Sequence, residues 1–315
     1  MLAGPRSPPS PVDPRSRDLE PLGPVGFTDN LSAVDDQLRR RSVGAPAARS
    51  VLLTLLGEYV LHNPRGVWQE TLIGALTTVG YKRQAARQAL ARSVAAGWLA
   101  TERQGRRSRV RLSAPTAAML CTGAERIYGF GEPWEWDGQW LLVVLRVPEE
   151  RREVRHRLRT QLAWAGFGSL GGGVWLSPHV DREVELRGIA DGSVAELLSF
   201  RSQLGSLGDP ARLIAEAWAL ADVARAYREF IGSFERLAPA TAEAVFRAQT
   251  LLVHEWRKFP FLDPDLPEGM LPAGWSRSRA HEVFVERHDA WKGIAQKYFA
   301  SLEANGRVEA TAQAR

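Results

Sequence analysis

A single cysteine, Cys121, stands in 315 residues, so no disulfide can form within the chain and no thiolate cluster can hold a metal. The histidines are few and scattered: His62, His156, His179, His254, His281 and His288. No two have the spacing that sets two ligands on one face of a helix. No metal and no cofactor are therefore expected. No apolar run approaches the roughly 18–20 residues of a membrane span, and the first residues lack the charged-then-apolar order of a signal peptide. A cytoplasmic protein without membrane contact is expected.

Catalytic patterns are also missing. Gly168 to Gly173 is rich in glycine, but no Lys-Ser/Thr follows and the segment leads into a strand, so a tight hairpin accounts for it better than a phosphate loop. His254 and Glu255 are adjacent, and adjacent helical residues point about 100° apart. Ser177-Pro178-His179 lacks the strand-turn-helix setting of a nucleophile. The chain reads as a non-enzyme.

What is present is an ordinary globular composition, 44% apolar and 24% charged, with a net charge of +5. That balance suits a polyanionic partner without requiring one. Residues 1–45 hold Pro, Ser, Gly and Arg without apolar periodicity, as in Ser7-Pro8-Pro9-Ser10-Pro11. They are expected to form a disordered tail, or to precede the true start. A first unit spans 46–115. Apolar spacing predicts helices over 50–60, over Gln69–Val79 ending at Gly80, and over Lys82–Ala96 ending at Gly97. A hairpin follows, 98–103 out and 108–112 back, with Val110 and Leu112 alternating with Arg109 and Arg111. Three helices and a basic hairpin are the order of a winged helix-turn-helix. A linker helix and loop cover 116–137.

A second unit, 138–206, opens on the apolar run Gln139–Val147, read as a buried strand. An Arg-rich helix from Glu149 to Trp164, short strands over 167–170 and 173–177, a helix over Asp181–Ala190 and a strand over Val194–Phe200 complete a β-α-β-β-α-β order. That order predicts a ferredoxin-like fold. A third unit, 207–304, reads as all helix: Ala211–Phe234, Pro239–Lys258 with Pro239 at the first helical position, a Pro-rich break over 259–267, and Ser278–Glu303. Residues 305–315 read as a frayed polar tail. The fold class is α+β, in several domains.

If Ala86, Leu90 and Val94 face the core of the first unit, then Arg83, Gln84, Arg87, Gln88 and Arg92 face outward. Arg suits guanine and Gln suits adenine in the major groove, and both reach phosphates. Arg103, Arg106, Arg107, Arg109 and Arg111 crowd into the hairpin with Glu102 as the local acid. Like charges so dense repel unless a polyanion neutralises them. Trp68 and Trp98 are expected to pack between helices and hairpin. Tyr81, in the turn before the third helix, is placed either to meet a phosphate or to pack.

Several collinear stretches resemble the PaaX family of repressors of phenylacetic acid degradation operons. They include 49–60; Arg87-Gln88-Ala89-Leu90-Ala91-Arg92 with Gly97-Trp98-Leu99; Gly105-Arg106-Arg107-Ser108; Arg126-Ile127-Tyr128; and Trp136-Asp137-Gly138-Gln139-Trp140. Pro148-Glu149 with Arg151 and Arg152, Gly166-Phe167-Gly168 with 173–178, and Leu252 to Pro260 through Asp263-Pro264, Leu266-Pro267 and Leu271-Pro272 continue the likeness. The resemblance implies a winged helix, a central ferredoxin-like domain similar to small CRISPR-associated nucleases, and a helical C-terminal domain. It implies a homodimer on a palindromic double-stranded DNA operator, released by an aryl-acyl-CoA such as phenylacetyl-CoA. Position by position it carries DNA contact to Arg87, Arg92, Arg106 and Arg107. Ala91 stands where the family commonly has Ser, which removes a phosphate contact there. His254, Trp256, Arg257 and Phe261 lie in the densest matching motif and are expected either to line the effector pocket or to close a domain interface. The nuclease likeness raises an alternative, a nucleic-acid-binding or nuclease-like protein that senses no metabolite. It would need an acid at the end of the first strand of the second unit, whereas Glu149 and Glu150 are expected to begin a helix.

Overall fold

A computed structural model describes residues 47–132, 134–190 and 196–312. The expected tail over 1–45 lies outside them. The first unit begins with α1 (Ala48–Leu55), whose last turn, Leu56–Val60, widens to a π geometry. A short strand β1 (Val67–Trp68) leads into α2 (Gln69–Val79), and Gly80, at φ 120°, ends that helix in a conformation only glycine adopts readily. Next come α3 (Arg83–Ala95) and the strands β2 (Leu99–Gln104) and β3 (Arg107–Leu112). The three strands form an antiparallel sheet in the order β1-β3-β2. Gly66, at φ 66°, lets the loop before β1 touch β3: a Cβ there would lie 2.3 Å from the Val110 carbonyl oxygen.

The inner face of α3 is Ala86, Ala89, Leu90 and Ser93. Val94 was expected there, but it is 38% exposed. At about 100° per residue, steps of four drift forward by roughly 40° each, so Val94 has rotated off the stripe that Ala86 begins. Ser93 replaces it by donating its hydroxyl to the Ala89 carbonyl at 2.9 Å.

A connecting helix α4 (Ala114–Tyr128) leads to the second unit. There β4 (Trp140–Arg146), α5 (Arg152–Trp164), β5 (Gly168–Gly171), β6 (Val174–Ser177), a 3-10 turn (Val180–Arg182) running into α6 (Glu183–Ala190), and β7 (Glu196–Ser202) follow in order. The sheet order is β5-β6-β4-β7, antiparallel throughout, as the β-α-β-β-α-β reading requires. Leu141, Val143 and Leu145 pack with Leu158 and Leu162 of α5 and Leu186 of α6. One expectation changes. Glu149 and Glu150 do not begin α5; they lie in a turn closed by Arg151 N–H donating to the Pro148 carbonyl at 3.0 Å. The last strand is described over Glu196–Ser202, and its expected start at Val194 lies outside the described residues.

The third unit comprises α7 (Pro210–Ala217), α8 (Leu220–Phe234), α9 (Ala242–Trp256), the single turn α10 (Phe259–Leu262) and α11 (Arg277–Ala312). The helix expected over Ala211–Phe234 is two helices. Trp218 breaks it in an extended conformation, φ −131° and ψ 144°. Its indole N–H donates to the Gly166 carbonyl at 3.2 Å, and its ring lies so close to Gly168 that a Cβ there would come within 2.5 Å. A tertiary contact has overridden local propensity. Pro239 does not open α9; the Thr241 hydroxyl caps it by accepting from Ala244 N–H at 3.1 Å. The last helix runs past Glu303 to Ala312.

The first and third units share one core. Phe246 of α9 and Ala295 and Phe299 of α11 are buried with Leu52, Leu56, Leu76 and Leu90. Tyr59 stacks on Phe299 at 4.8 Å. Among the described residues no helix is long and apolar enough to cross a membrane.

Candidate nucleic-acid interface

The outward face of α3 carries Gln84, Arg87, Gln88, Ala91 and Arg92, all exposed. No side chain caps its first turn at Lys82, so the backbone N–H groups there remain open to an anion. Arg83 points sideways and is held by Glu70 of α2. Arg49, whose guanidinium sits 3.9 Å over the Trp98 ring, adds positive charge behind this face. Burial and then Arg92 lower its pKa from the usual arginine value. Arg49 was legible only as part of a matching stretch, because its approach to Arg92 is purely tertiary.

The hairpin sorts its arginines into paired and unpaired groups. Arg109 is half-buried, donates to Glu303 at 2.8 Å, and lies 4.7 Å over the Trp68 ring. Glu303 also accepts from the Trp68 backbone N–H at 3.0 Å and the Thr71 hydroxyl at 2.6 Å. Arg111 faces Glu102 at 3.4 Å. Arg106 is exposed at the tip, beside Gly105 at φ 64°, and Arg107 lies 5.5 Å over the Trp68 ring. Among the described residues no carboxylate is within ion-pair distance of Arg87, Arg92, Arg103, Arg106 or Arg107. The expectation that Glu102 is the hairpin's acid was incomplete: Glu303, 194 residues beyond Arg109, neutralises one arginine that sequence placed on the free surface. Trp98 is buried in the core, and Tyr81 packs half-buried against it. Burial, then Glu255, pushes the Tyr81 hydroxyl up to about 12.

The residues proposed for an effector face three different surroundings. His254 Nδ1 lies 3.1 Å from the Thr54 hydroxyl, and Arg257 donates to the Ser50 carbonyl and hydroxyl at 3.0 and 2.9 Å. Both sit in the seam between α1 and α9. Trp256 is buried in the C-terminal core, its indole N–H donating to the Ile127 carbonyl at 3.1 Å and its ring stacked 4.6 Å from Phe284. Phe261 is half-buried beneath the Arg126 guanidinium.

Burial, reinforced by Arg257 and Lys258, holds the His254 pKa well below 6.5. Burial and Arg182 lower His179 to about 4, although the Asp265 carboxylate lies 3.5 Å away. Both rings are neutral in the folded chain and gain a proton when it unfolds below about pH 6.5. Stability is therefore full above that pH and falls as pH drops toward 4, by about 1.4 kcal/mol per unit for each ring. Urea unfolding between pH 7 and 5 measures this. A His254→Gln variant should show a shallower acid loss than the parent; an identical slope in both contradicts the assignment.

Three family models match consecutive parts of the chain. They are described as PaaX-like protein over 47–116, PaaX protein central Cas2-like domain over 133–214, and PaaX-like protein C-terminal domain over 218–301. The chain is 30% identical over 272 residues to Transcriptional repressor PaaX of Escherichia coli strain K12, covering 81% of this chain and 84% of that one. The solved structure of Uncharacterized protein Rv0674 from Mycobacterium tuberculosis is similar with a TM-score of 0.54 at 25% identity, covering 81% of this chain and 98% of that one.

Proposed function

The chain belongs to the PaaX family, and on that premise we propose that it is a DNA-binding transcriptional repressor whose first unit works as a winged helix-turn-helix. In this reading α3 enters the major groove, where Gln84, Arg87, Gln88 and Arg92 meet base edges and phosphates. The β2–β3 hairpin is the wing, with Arg106 and Arg107 on the phosphate backbone. The observation that carries the reading is the division among the arginines. Arg83, Arg109 and Arg111 have carboxylate partners, while those on the outward face of α3 and at the hairpin tip have none among the described residues. Crowded cations repel, and a polyanion relieves that repulsion while releasing its own counterions. Two copies related by a two-fold axis would read a palindrome. The effector is an aryl-acyl-CoA such as phenylacetyl-CoA, which releases the repressor from a catabolic operon; the family resemblance supports this part.

The test is a mobility shift on DNA upstream of the chain's own gene, with and without a panel of acyl-CoAs. A shift reversed by an aryl-acyl-CoA is expected. No shift at low salt would sink the repressor reading, and a shift that no acyl-CoA reverses would sink the effector.

Arg109 gives a second test. To reach a phosphate it must leave Glu303. Glu303→Gln removes the competing charge, so non-specific DNA affinity should rise severalfold and the slope of log K against log salt should steepen by about one. Fluorescence anisotropy measures both. An unchanged slope would show that Arg109 never meets DNA.

A further inference from the structure

The second unit has a cleft, about 810 Å3, that DNA reading does not use. It opens where the end of β4, the turn before β6 and the start of β7 meet the outer side of α5. Its apolar lining includes Leu145, Val147 and Trp175, and its basic side is Arg155 and Arg159. These two arginines are four residues apart on α5, so they share a face about 6 Å apart, and they also line a smaller neighbouring depression with Arg152. Arg146 lines the cleft as well, but it is matched by Glu196 at 3.3 Å. Glu149 is the other acid on the lining. Among the described residues no carboxylate pairs with Arg155 or Arg159. Arg155 instead donates to the Val147 and Pro148 carbonyls at 3.4 and 3.3 Å, which holds its guanidinium at the mouth. The turn is shaped for close approach: Gly173, at φ 84°, would put a Cβ 2.4 Å from the Leu145 carbonyl oxygen.

Two unpaired like charges on one helix face are mildly destabilising unless an anion joins them. Guanidinium pairs bind phosphate oxygens strongly and with geometry. A cavity of this size accommodates a nucleotide-sized molecule, whereas a duplex cannot enter it. We propose that this cleft binds an organic phosphate with an apolar end, its phosphates on Arg155 and Arg159 and its apolar end against Leu145, Val147 and Trp175, and that it is the effector site of the chain. The last clause rests on the ligand-responsive reading above; the phosphate site does not.

Calorimetry on the full chain tests it, with phenylacetyl-CoA and inorganic pyrophosphate as probes. The variants are Arg155→Ala with Arg159→Ala, and Arg157→Ala, which removes one charge from the opposite side of the same helix. Matching circular dichroism spectra and melting curves control for folding. Phenylacetyl-CoA should bind the parent and Arg157→Ala alike and lose at least tenfold in affinity to the double variant. Equal affinity in the double variant would overturn the site while leaving an effector elsewhere. Binding of pyrophosphate but not phenylacetyl-CoA, dependent on Arg155 and Arg159, would retain the phosphate site and remove the effector reading. Binding of neither probe would overturn both. A double variant that loses tenfold in DNA affinity without any small ligand would assign these arginines to DNA and overturn the site.

Discussion

Replacing Arg87 and Arg92 together by alanine is expected to weaken binding to the chain's upstream DNA by roughly a hundredfold or more. A bidentate arginine contact to a base contributes about 1–3 kcal/mol of discrimination, and two such losses compound. Both side chains are exposed on the outer face of α3 and neither supports the core, so stability should stay within about 0.5 kcal/mol of the parent. Arg83→Ala is the internal contrast. Arg83 is one position from Gln84 but is turned toward Glu70, and its loss should change DNA affinity by less than about threefold. Arg106→Ala should weaken all DNA sequences alike and reduce the salt slope by about one, as loss of a phosphate contact does. Anisotropy on specific and scrambled DNA distinguishes these outcomes. A threefold or smaller effect of the Arg87 and Arg92 pair would remove α3 as the reading helix.

The largest stability effect is expected at Asp263, outside the candidate interface. Asp263 is buried and accepts from Arg277 through two hydrogen bonds of 2.8 Å, and from the Tyr227 hydroxyl at 2.6 Å. It also accepts from the Asp265 backbone N–H at 2.8 Å. Burial by itself lowers the Arg277 pKa, yet Asp263 and Asp265 together hold it above the usual arginine value. Burial, then Asp263, raises the Tyr227 hydroxyl well above its ordinary range, so that group remains a donor. Asp263→Ala strands a buried guanidinium. Breaking such a pair typically costs 3–5 kcal/mol, and Asp265, 2.8 Å from Arg277, moderates the loss toward about 3 kcal/mol. For a chain of this size that lowers the melting temperature by roughly 5 °C. Removing both partners, with Asp263→Leu and Arg277→Met, should recover part of the loss. A single variant that melts within about 2 °C of the parent would show that the pair adds little.

The same two regions show where sequence reading succeeds. Apolar period and glycine stops placed α2, α3 and the hairpin within a residue or two, because those elements are decided locally. The outward face of α3 followed from its period, and only Val94 was assigned to the wrong side. What sequence could not show is long-range pairing. Glu303 meets Arg109 from the last helix, Arg257 reaches Ser50 across 207 residues, and Arg277 finds Asp263 past a proline-rich turn. Dense arginines in the hairpin implied repulsion, but nothing local indicated that one already had a carboxylate. Likewise Trp218 lies in a helical pattern and leaves it only because Gly166 and Gly168 offer its ring a better contact. Sequence marked α5 only as Arg-rich; that Arg155 and Arg159 border a cleft lined by Leu145, Val147 and Trp175 is set by the folded sheet.

The most direct test of DNA reading by α3 and the hairpin is a hydroxyl-radical footprint of the full chain on its own upstream DNA at low salt. Two protected windows centred one helical turn, about 34–36 Å, or a multiple of that apart, are expected with the parent and should be lost with the Arg87 and Arg92 double variant. Protection that persists unchanged in that variant, or no protection at all, would show that α3 does not read the DNA.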